Sequence, residues 1–579
     1  MDNSRLFMAV GLSLAILLGF HYFYERPRIE AWKAQQAALQ QLPPAKVADA
    51  TPAPEADKTA LPREEALAQS KRLPIVSDKL QGSMNLTGGR LDDLTLLAFA
   101  DKQGEGAKPI VLLSPARTEA AQHQTYYAEW GWLGDNIAVP DAKTVWTTTD
   151  TSLTPQKPVT LVWENSQGLR FERLVALDEH YMFTITDRVT NTGTQSVKVY
   201  PFGLVQRHGP STDEGFGVVH IGLYGVFDGK LIEKDYSKVR DEKQQSFSST
   251  GGWLGMTDKY WLVAMVPGAG TTYQTQFRFD AKAGEDVKKG GRYQVDYRGS
   301  AVEVAAGASA ENIMHVFAGA KEVRLLDDYM DRHTIASFDK AIDFGWFYFI
   351  TKPLMLMLDW LLGLVGNAGV AIIILTVLVK LITLPLTFKS SIAMLRLKEL
   401  QPQVQALMER YKDDYTQRSV QVMELYKREK VSPFSGCLPV LLQIPVFFAL
   451  YKILLIGIEM RHAPFFGWIT DLSAPDPTTV FNLFGLLPYD VPSFLNIGIW
   501  PLLMGASMYL QQKMTPTPTT DPTQQQIMLL MPLIFTLLLA PTMASGLIIY
   551  WTWSNVLTIA QQWLVAAMVP HMNPKKKPA

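Results

Sequence analysis

Residues Val370–Leu386 read VAIIILTVLVKLITLPL, seventeen residues with one charge, Lys380. At ~1.5 Å rise per residue, a helix of this length covers about 25 Å, close to the thickness of a bilayer core. A lysine near the centre of a span costs ~2.5–3.5 kcal/mol on insertion scales. Why the chain keeps that charge decides both fold and function. Two readings are open from physics alone. Lys380 either snorkels to the end at Leu386, less than two turns away, or faces a hydrated cavity within a helical bundle.

Working outward, four more runs are apolar enough to span: Leu438–Ile458, Phe494–Leu510, Ile527–Ala544 and Gly546–Val569. The third is the weakest, interrupted by Pro532 and Pro541. None of the five spans holds an Asp or Glu, so Lys380 has no carboxylate partner on them. Lys452 lies nearer the outer end of its helix and reads as a snorkeller. Thr376, Lys380, Thr383 and Thr387 recur at i, i+4, i+7 and i+11, one helical face. Trp551, Asn555, Thr558 and Gln562 do the same on the last span, and Gln443 lies within Leu438–Ile458. Helix association accounts for some of these polar groups. Two polar stripes beside an uncompensated cation read more simply as a wet groove. Such a groove lacks the carboxylates of a proton-coupled transporter. It suits polar or acidic peptide segments, whose desolvation in hydrocarbon it would reduce. Their apolar parts would then slide out into lipid.

The flanks set the topology. Residues 388–435 carry nine Lys/Arg (Lys389, Arg396, Lys398, Arg410, Lys412, Arg418, Lys427, Arg428, Lys430), 459–493 carry only Arg461, and the tail holds Lys575–Lys577. The positive-inside rule puts the first segment and the tail in the cytoplasm and 459–493 outside. That arrangement holds if the apolar run Trp346–Leu362, with Lys352 and Asp359 on one face, lies flat in the interface as an amphipathic helix. Within 388–435, Ile392, Leu395, Leu400, Val404, Leu407 and Tyr411 fall near helical spacing. Asp413-Asp414 marks a turn, and Val420, Met423 and Tyr426 follow on a second arm. The segment reads as an antiparallel helical hairpin.

Ahead of this region the chain reads as soluble. Leu6–Phe23 is apolar except for Ser13 and His21, and bulky residues follow it where a cleavage site would need small ones. It reads as an uncleaved anchor. Residues 25–70, rich in Ala, Pro, Gln and charge, read as a flexible tether. From about 73 to 320, β-rich runs such as Phe171–Leu177, Met182–Val189 and Thr272–Phe279 alternate with turn signals such as Asn191-Thr192-Gly193, Asp228-Gly229 and Lys289-Gly290-Gly291. A large antiparallel sandwich is expected, on the outer side of a bacterial inner membrane. His208 and His220 read as isolated surface histidines.

In 579 residues, apolar types make up 47% and charged types 19%, with a net charge of -1. That charge points to no nucleic-acid or acidic partner. The single cysteine, Cys437, excludes an internal disulfide framework and argues against a cysteine metal site. It is expected at the cytoplasmic end of its span. No P-loop, H-E-x-x-H or G-x-S-x-G motif occurs. No enzyme activity, catalytic residue, cofactor, metal or small-molecule substrate is expected.

Three stretches resemble the YidC membrane insertase family. They are Val379–Thr387 leading into Met394–Leu397 and Leu400-Gln401-Pro402; Pro433–Pro439 followed by Gln443–Phe447 and Tyr451; and Ser545–Trp551 with Ser554-Asn555 and Gln561-Gln562. Asp521-Pro522 and Met531-Pro532 add to the likeness, and the order of parts covers nearly the whole chain. The resemblance implies a polytopic α-helical membrane protein with six transmembrane helices and a periplasmic β-supersandwich. Its parts would be an anchor at 1–24, a tether at 25–70, the β-domain at 71–325, an interfacial helix at 340–366 and a five-helix core at 369–579 that includes the hairpin 388–435. It implies an insertase and chaperone for nascent membrane proteins, acting alone or beside the Sec translocon. Its groove would open to cytoplasm and lipid but be sealed outside. The family's groove cation, often Arg, falls on Lys380, its threonine on Thr376, its glutamine on Gln443, and an aromatic often filled by Tyr on Trp551. Thr383, Asn555 and Gln562 complete the candidate groove. Ala544 stands where the family often has proline. Both termini would be cytoplasmic, and the basic tail could touch ribosomal RNA, although a positive-inside stop suits it better. The rival readings are a polytopic channel or transporter with a periplasmic sensing domain, and a sugar-active enzyme, which requires clustered carboxylates in the sandwich.

Overall fold

The strand Leu169–Leu177, LRFERLVAL, buries every second residue: Leu169, Phe171, Arg173, Val175 and Leu177. This is the two-residue period of a sheet with one face in a core. The computed structural model describes residues 61–116, 124–213, 219–432, 438–485, 487, 491–492, 497–514, 526 and 530–572. The anchor 1–24, most of the tether, Cys437 and the tail Lys575–Lys577 lie outside them. Contacts divide the chain into two units, one ending at Asp343 and the other beginning at Phe344.

The first unit is built on two antiparallel sheets. The eight-stranded sheet runs, edge to edge, Lys230–Asp235, Gly222–Phe227, Trp253–Thr257, Trp261–Val266, Ser309–Ala320, Met182–Asn191, Leu169–Leu177 and Val159–Glu164. The ten-stranded sheet runs Arg72–Val76, Leu80–Asn85, Arg90–Ala100, Tyr126–Gly134, Val197–His208, Arg292–Gly299, Thr272–Asp280 and Gln244–Thr250. Pro109–Leu113 and Val302–Val304 pair beside this path. The Asp228-Gly229 signal is a two-residue hairpin loop: Phe227 pairs with Lys230, and both loop residues have positive φ, 47° and 76°. That geometry matches the strand twist. The inner faces meet over Trp130, Tyr297 and Phe183, while Tyr224 and Trp253, on the other face of the eight-stranded sheet, pack against Ala341 and Phe338, and all five are nearly inaccessible to solvent.

Several charges are also buried in this unit opposite partners of the other sign. Arg173 donates from Nε and Nη2 to the Asp187 carboxylate, at 2.7 and 3.1 Å, and from Nη2 to the Trp130 carbonyl at 2.7 Å. Its guanidinium also lies over the Trp146 ring, 4.7 Å from the centroid. Gly89, at φ 63°, makes room for it, since a Cβ there would sit 2.6 Å from Arg173 Nη1. Arg207 reaches Asp258 at 2.6 Å and Arg90 reaches Glu129 at 2.5 Å. Helices α1 (Arg63–Ala68), α2 (Tyr236–Glu242) and α3 (Val323–Arg332) complete the unit.

The second unit is helical. Helix α4 (Tyr348–Val365) buries Thr351, Leu354, Met355, Leu358 and Leu361 as one stripe and exposes Phe349, Trp360 and Leu364. It stops at Gly366, whose φ of 69° suits glycine. Asn367 then caps α5 (Ala368–Arg410), accepting from Val370 N at 3.1 Å. The span Val370–Leu386 and the first arm of the hairpin are thus one helix, continuous through Pro385 and Pro402. At ~1.5 Å per residue its 43 residues run about 65 Å, roughly twice a bilayer core. Asp414 caps the returning helix α6 (Tyr415–Arg428), accepting from Gln417 N at 2.9 Å. Leu397, Leu400 and Val404 pack on Leu425 and Tyr426, with Val422 alongside. The expected inward position Val420 is instead exposed, because the packed face of α6 runs through 422, 425 and 426.

Helices α7 (Leu438–Ile456), α8 (Ile499–Met514) and α9 (Ser545–Met572) follow. Between α8 and α9, the run expected as a span is helical at 530–534, then changes winding: Phe535–Leu539 is π-helical and Ala540–Thr542 a 3-10 turn. The break falls between Pro532 and Pro541, where ring geometry denies the backbone its donors. Helices α4 and α5 are long and apolar enough to cross a membrane by length and composition.

Candidate functional site

Helix α5 sorts its residues by face. Leu381 and Ile382 are 57% and 75% exposed, an apolar outer surface, while Thr376 is fully buried and Lys380 half-buried on the opposite side. Lys380 Nζ donates to Thr558 Oγ1 on α9 at 3.0 Å and to Gln443 Oε1 on α7 at 3.5 Å. These are its hydrogen-bond partners among the described residues, and both are neutral. Each offers an oxygen because its own donor is engaged elsewhere. The Thr558 hydroxyl donates to the Ser554 carbonyl at 2.8 Å, and the Gln443 amide nitrogen donates to the Tyr550 hydroxyl. One cation therefore ties three helices together through neutral polar groups.

The threonine stripe on α5 is mostly satisfied by its own helix. Thr376, Thr383 and Thr387 donate to Ile372, Val379 and Thr383 carbonyls at 2.7, 3.0 and 3.1 Å. Thr387 also accepts from Gln561 Nε2 at 2.9 Å, which pins α9 to α5 one helical turn beyond Thr383. The stripe on α9 divides. Thr558 faces Lys380, but Asn555 is buried and donates to Ser507 on α8 at 2.9 Å. Trp551 packs edge-on against Phe447 and Phe535, ring centroids 4.8 and 5.4 Å away, and against the apolar pair Met504 and Ile548. Gln562 is half-buried beside Gln561. Lys380, Gln443 and Thr558 thus form one cluster, with Tyr550 behind it, while Trp551 and Asn555 knit α9 to α7 and α8. Tyr550 and Gln561 were not singled out by periodicity, since each sits one residue off the polar stripe. A tyrosine and a glutamine on an otherwise apolar helix were the available signal.

Elsewhere, no group of three or more His, Cys, Asp or Glu suited to a metal occurs among the described residues. His208, at the end of its strand, pairs with Glu285, and His220, largely buried and not at the surface as expected, pairs with Asp235, each at 3.1 Å and in separate parts of the unit. In the sandwich, Asp92, Asp93, Glu129, Asp187, Asp258 and Asp296 each face an arginine, an arrangement of ion pairs and not of clustered acids.

Residues 72–357 match the family model of the YidC periplasmic domain, and residues 360–572 match that of the 60Kd inner membrane protein. A periplasmic all-β domain joined to a helical inner-membrane region defines the class. Membrane protein insertase YidC of Beijerinckia indica subsp. indica is 45% identical, covering 97% of this chain and 96% of the relative. That of Granulibacter bethesdensis is 46% identical over 98% of both. A solved structure described as an active YidC insertase with its first transmembrane domain resolved is 16% identical, covers 85% of this chain and 92% of that one, and superposes with a TM-score of 0.35. The chain belongs to the YidC membrane protein insertase family.

Proposed function

We propose that this chain inserts nascent membrane proteins into the bacterial inner membrane and assists their folding, through a polar groove centred on Lys380. The observation that carries this reading is the half-buried ammonium held by Thr558 and Gln443 on the apolar part of α5, with no carboxylate bonded to it among the described residues. An ammonium has three donors and two are occupied here, so one remains for water or for an acidic side chain of an incoming segment. Polar parts of a client would pause in this wet notch, while its apolar parts leave over the exposed Leu381 and Ile382 face into lipid.

The topology that goes with this function has six spans, with both termini and the hairpin 388–435 in the cytoplasm and the β-domain in the periplasm. The charge bias of 388–435 over 459–493 supports it. The length of α5 supports it too, since one helix of this length can cross the bilayer and continue as the hairpin's first arm. In this arrangement α4 lies in the interface with its aromatic face toward lipid. Partners in this reading are nascent chains, the Sec translocon when the protein does not act alone, and the ribosome through the basic tail Lys575–Lys577. The groove residues are Lys380, Thr376, Thr383, Gln443, Trp551, Asn555 and Gln562, with Trp551 and Asn555 fixing the helix that carries Thr558. Depletion of the protein from cells, followed by scoring insertion of small membrane proteins, tests the function. Clients should accumulate outside the membrane, and normal insertion would refute the proposal. Reporter fusions after residue 420 should read cytoplasmic and fusions near 475 periplasmic.

A further inference from the structure

A carboxamide can present either its oxygen or its NH2 group to a neighbour, and only the oxygen suits an ammonium. At Gln443 the choice is made by a third residue. Tyr550 is 2% exposed, and its hydroxyl accepts from the Gln443 amide nitrogen. That contact turns Oε1 toward Lys380 Nζ, 3.5 Å away. The other acceptor on Lys380, Thr558, belongs to the same helix as Tyr550, two turns further along, and is oriented by its bond to Ser554. We propose that Tyr550 is a positioning residue: by fixing the Gln443 carboxamide it holds the Lys380 ammonium in the groove, and so sets the preference for clients with acidic segments. The inference rests on the groove reading of Lys380 and adds a residue that does not itself meet the client.

The geometry makes a specific demand. Without the phenol oxygen the carboxamide can rotate and turn its NH2 toward the ammonium. A position that attracted the cation would then repel it, and Lys380 would keep only Thr558. Clients that need the cation should be affected, whereas clients driven by apolar burial should not. A purely structural Tyr550 would affect both alike.

The test uses the full chain in membranes, at matched protein levels, with one client bearing an acidic external segment and one wholly apolar. Tyr550→Phe keeps the buried ring and removes only the hydroxyl. Tyr550→Phe and Gln443→Leu should each lower insertion of the acidic client by about 2- to 10-fold, the range for one lost hydrogen bond. The double variant should be no worse than either single one, because Tyr550 acts through Gln443. The apolar client should be unchanged with Tyr550→Phe. Multiplied losses in the double variant, or equal losses for the two clients with Tyr550→Phe, would overturn the inference. Lys380→Ala, assayed in parallel, separates the two levels. If that variant inserts the acidic client normally, the groove reading itself is wrong. If it is impaired while the two losses multiply, only the role of Tyr550 is wrong.

Discussion

Two charges taken from water, Arg173 in the first unit and Lys380 in the second, are held in opposite ways. In the β-sandwich, Arg173 is wholly enclosed and meets Asp187 through two hydrogen bonds, with carbonyl and aromatic contacts around the rest of the guanidinium. In the helical unit, Lys380 meets a hydroxyl and a carboxamide and, among the described residues, no acid. Paired and fully bonded, the first charge holds a structure in one arrangement. The second retains an unspent charge in an apolar setting, and that is an arrangement a protein keeps for use. The contrast separates a charge that belongs to folding from one that belongs to function, and it can be broken from either side.

The largest effect is expected in the sandwich. Arg173→Ala leaves Asp187 buried without its partner and should destabilise the β-unit by about 3–5 kcal/mol. Thermal unfolding of the purified full chain would show it, and Lys380→Ala in the same assay should be neutral or mildly stabilising. Equal destabilisation by the two variants would erase the distinction. The hairpin supplies the next effect. Leu425→Ala removes an apolar side chain packed between α5 and α6 and should cost about 2–4 kcal/mol locally. Hydrogen exchange should then rise in 397–428, with the sandwich unaffected.

The smallest effect sharpens the comparison with a titrating group. His315 lies 4.5 Å from His333, ring to ring, and its Nδ1 is 3.1 Å from Thr184 Oγ1. Burial, with His333 adding to it, pushes its pKa down to about 4. The folded state keeps it neutral while the unfolded chain takes up a proton below about 6.5. Stability should therefore fall as pH drops from about 6.5 toward 4. His315→Gln should flatten that part of the melting-temperature profile, and an unchanged slope would show that other groups carry it.

Much of this organisation was legible from residue types. Asp228-Gly229 announced a hairpin because two consecutive positive φ values favour those residues. Asp414 marked a turn and also supplies the cap. Lys380 stood out because an apolar span makes any charge conspicuous. What could not be read was partnership across elements. Arg173 lies in an alternating strand at an inward position, and its partners, Asp187 on the neighbouring strand and the Trp130 carbonyl of the opposite sheet, come together only in the fold. Periodicity put Trp551 and Thr558 on one face, yet side-chain direction sends Trp551 into the Phe447 and Phe535 cluster and brings Tyr550 to Gln443. The continuity of α5 through two prolines was hidden because each proline, taken alone, reads as a break.

The claim that Lys380 is kept for function is tested most directly by insertion assays on Lys380→Arg, Lys380→Ala and Lys380→Glu at matched protein levels. Charge should matter more than shape. Arginine should retain activity, while alanine and, more severely, glutamate should impair clients with acidic external segments and leave apolar clients less affected. Full activity of the alanine variant on every client would mean that Lys380 only snorkels, and the groove account would fall.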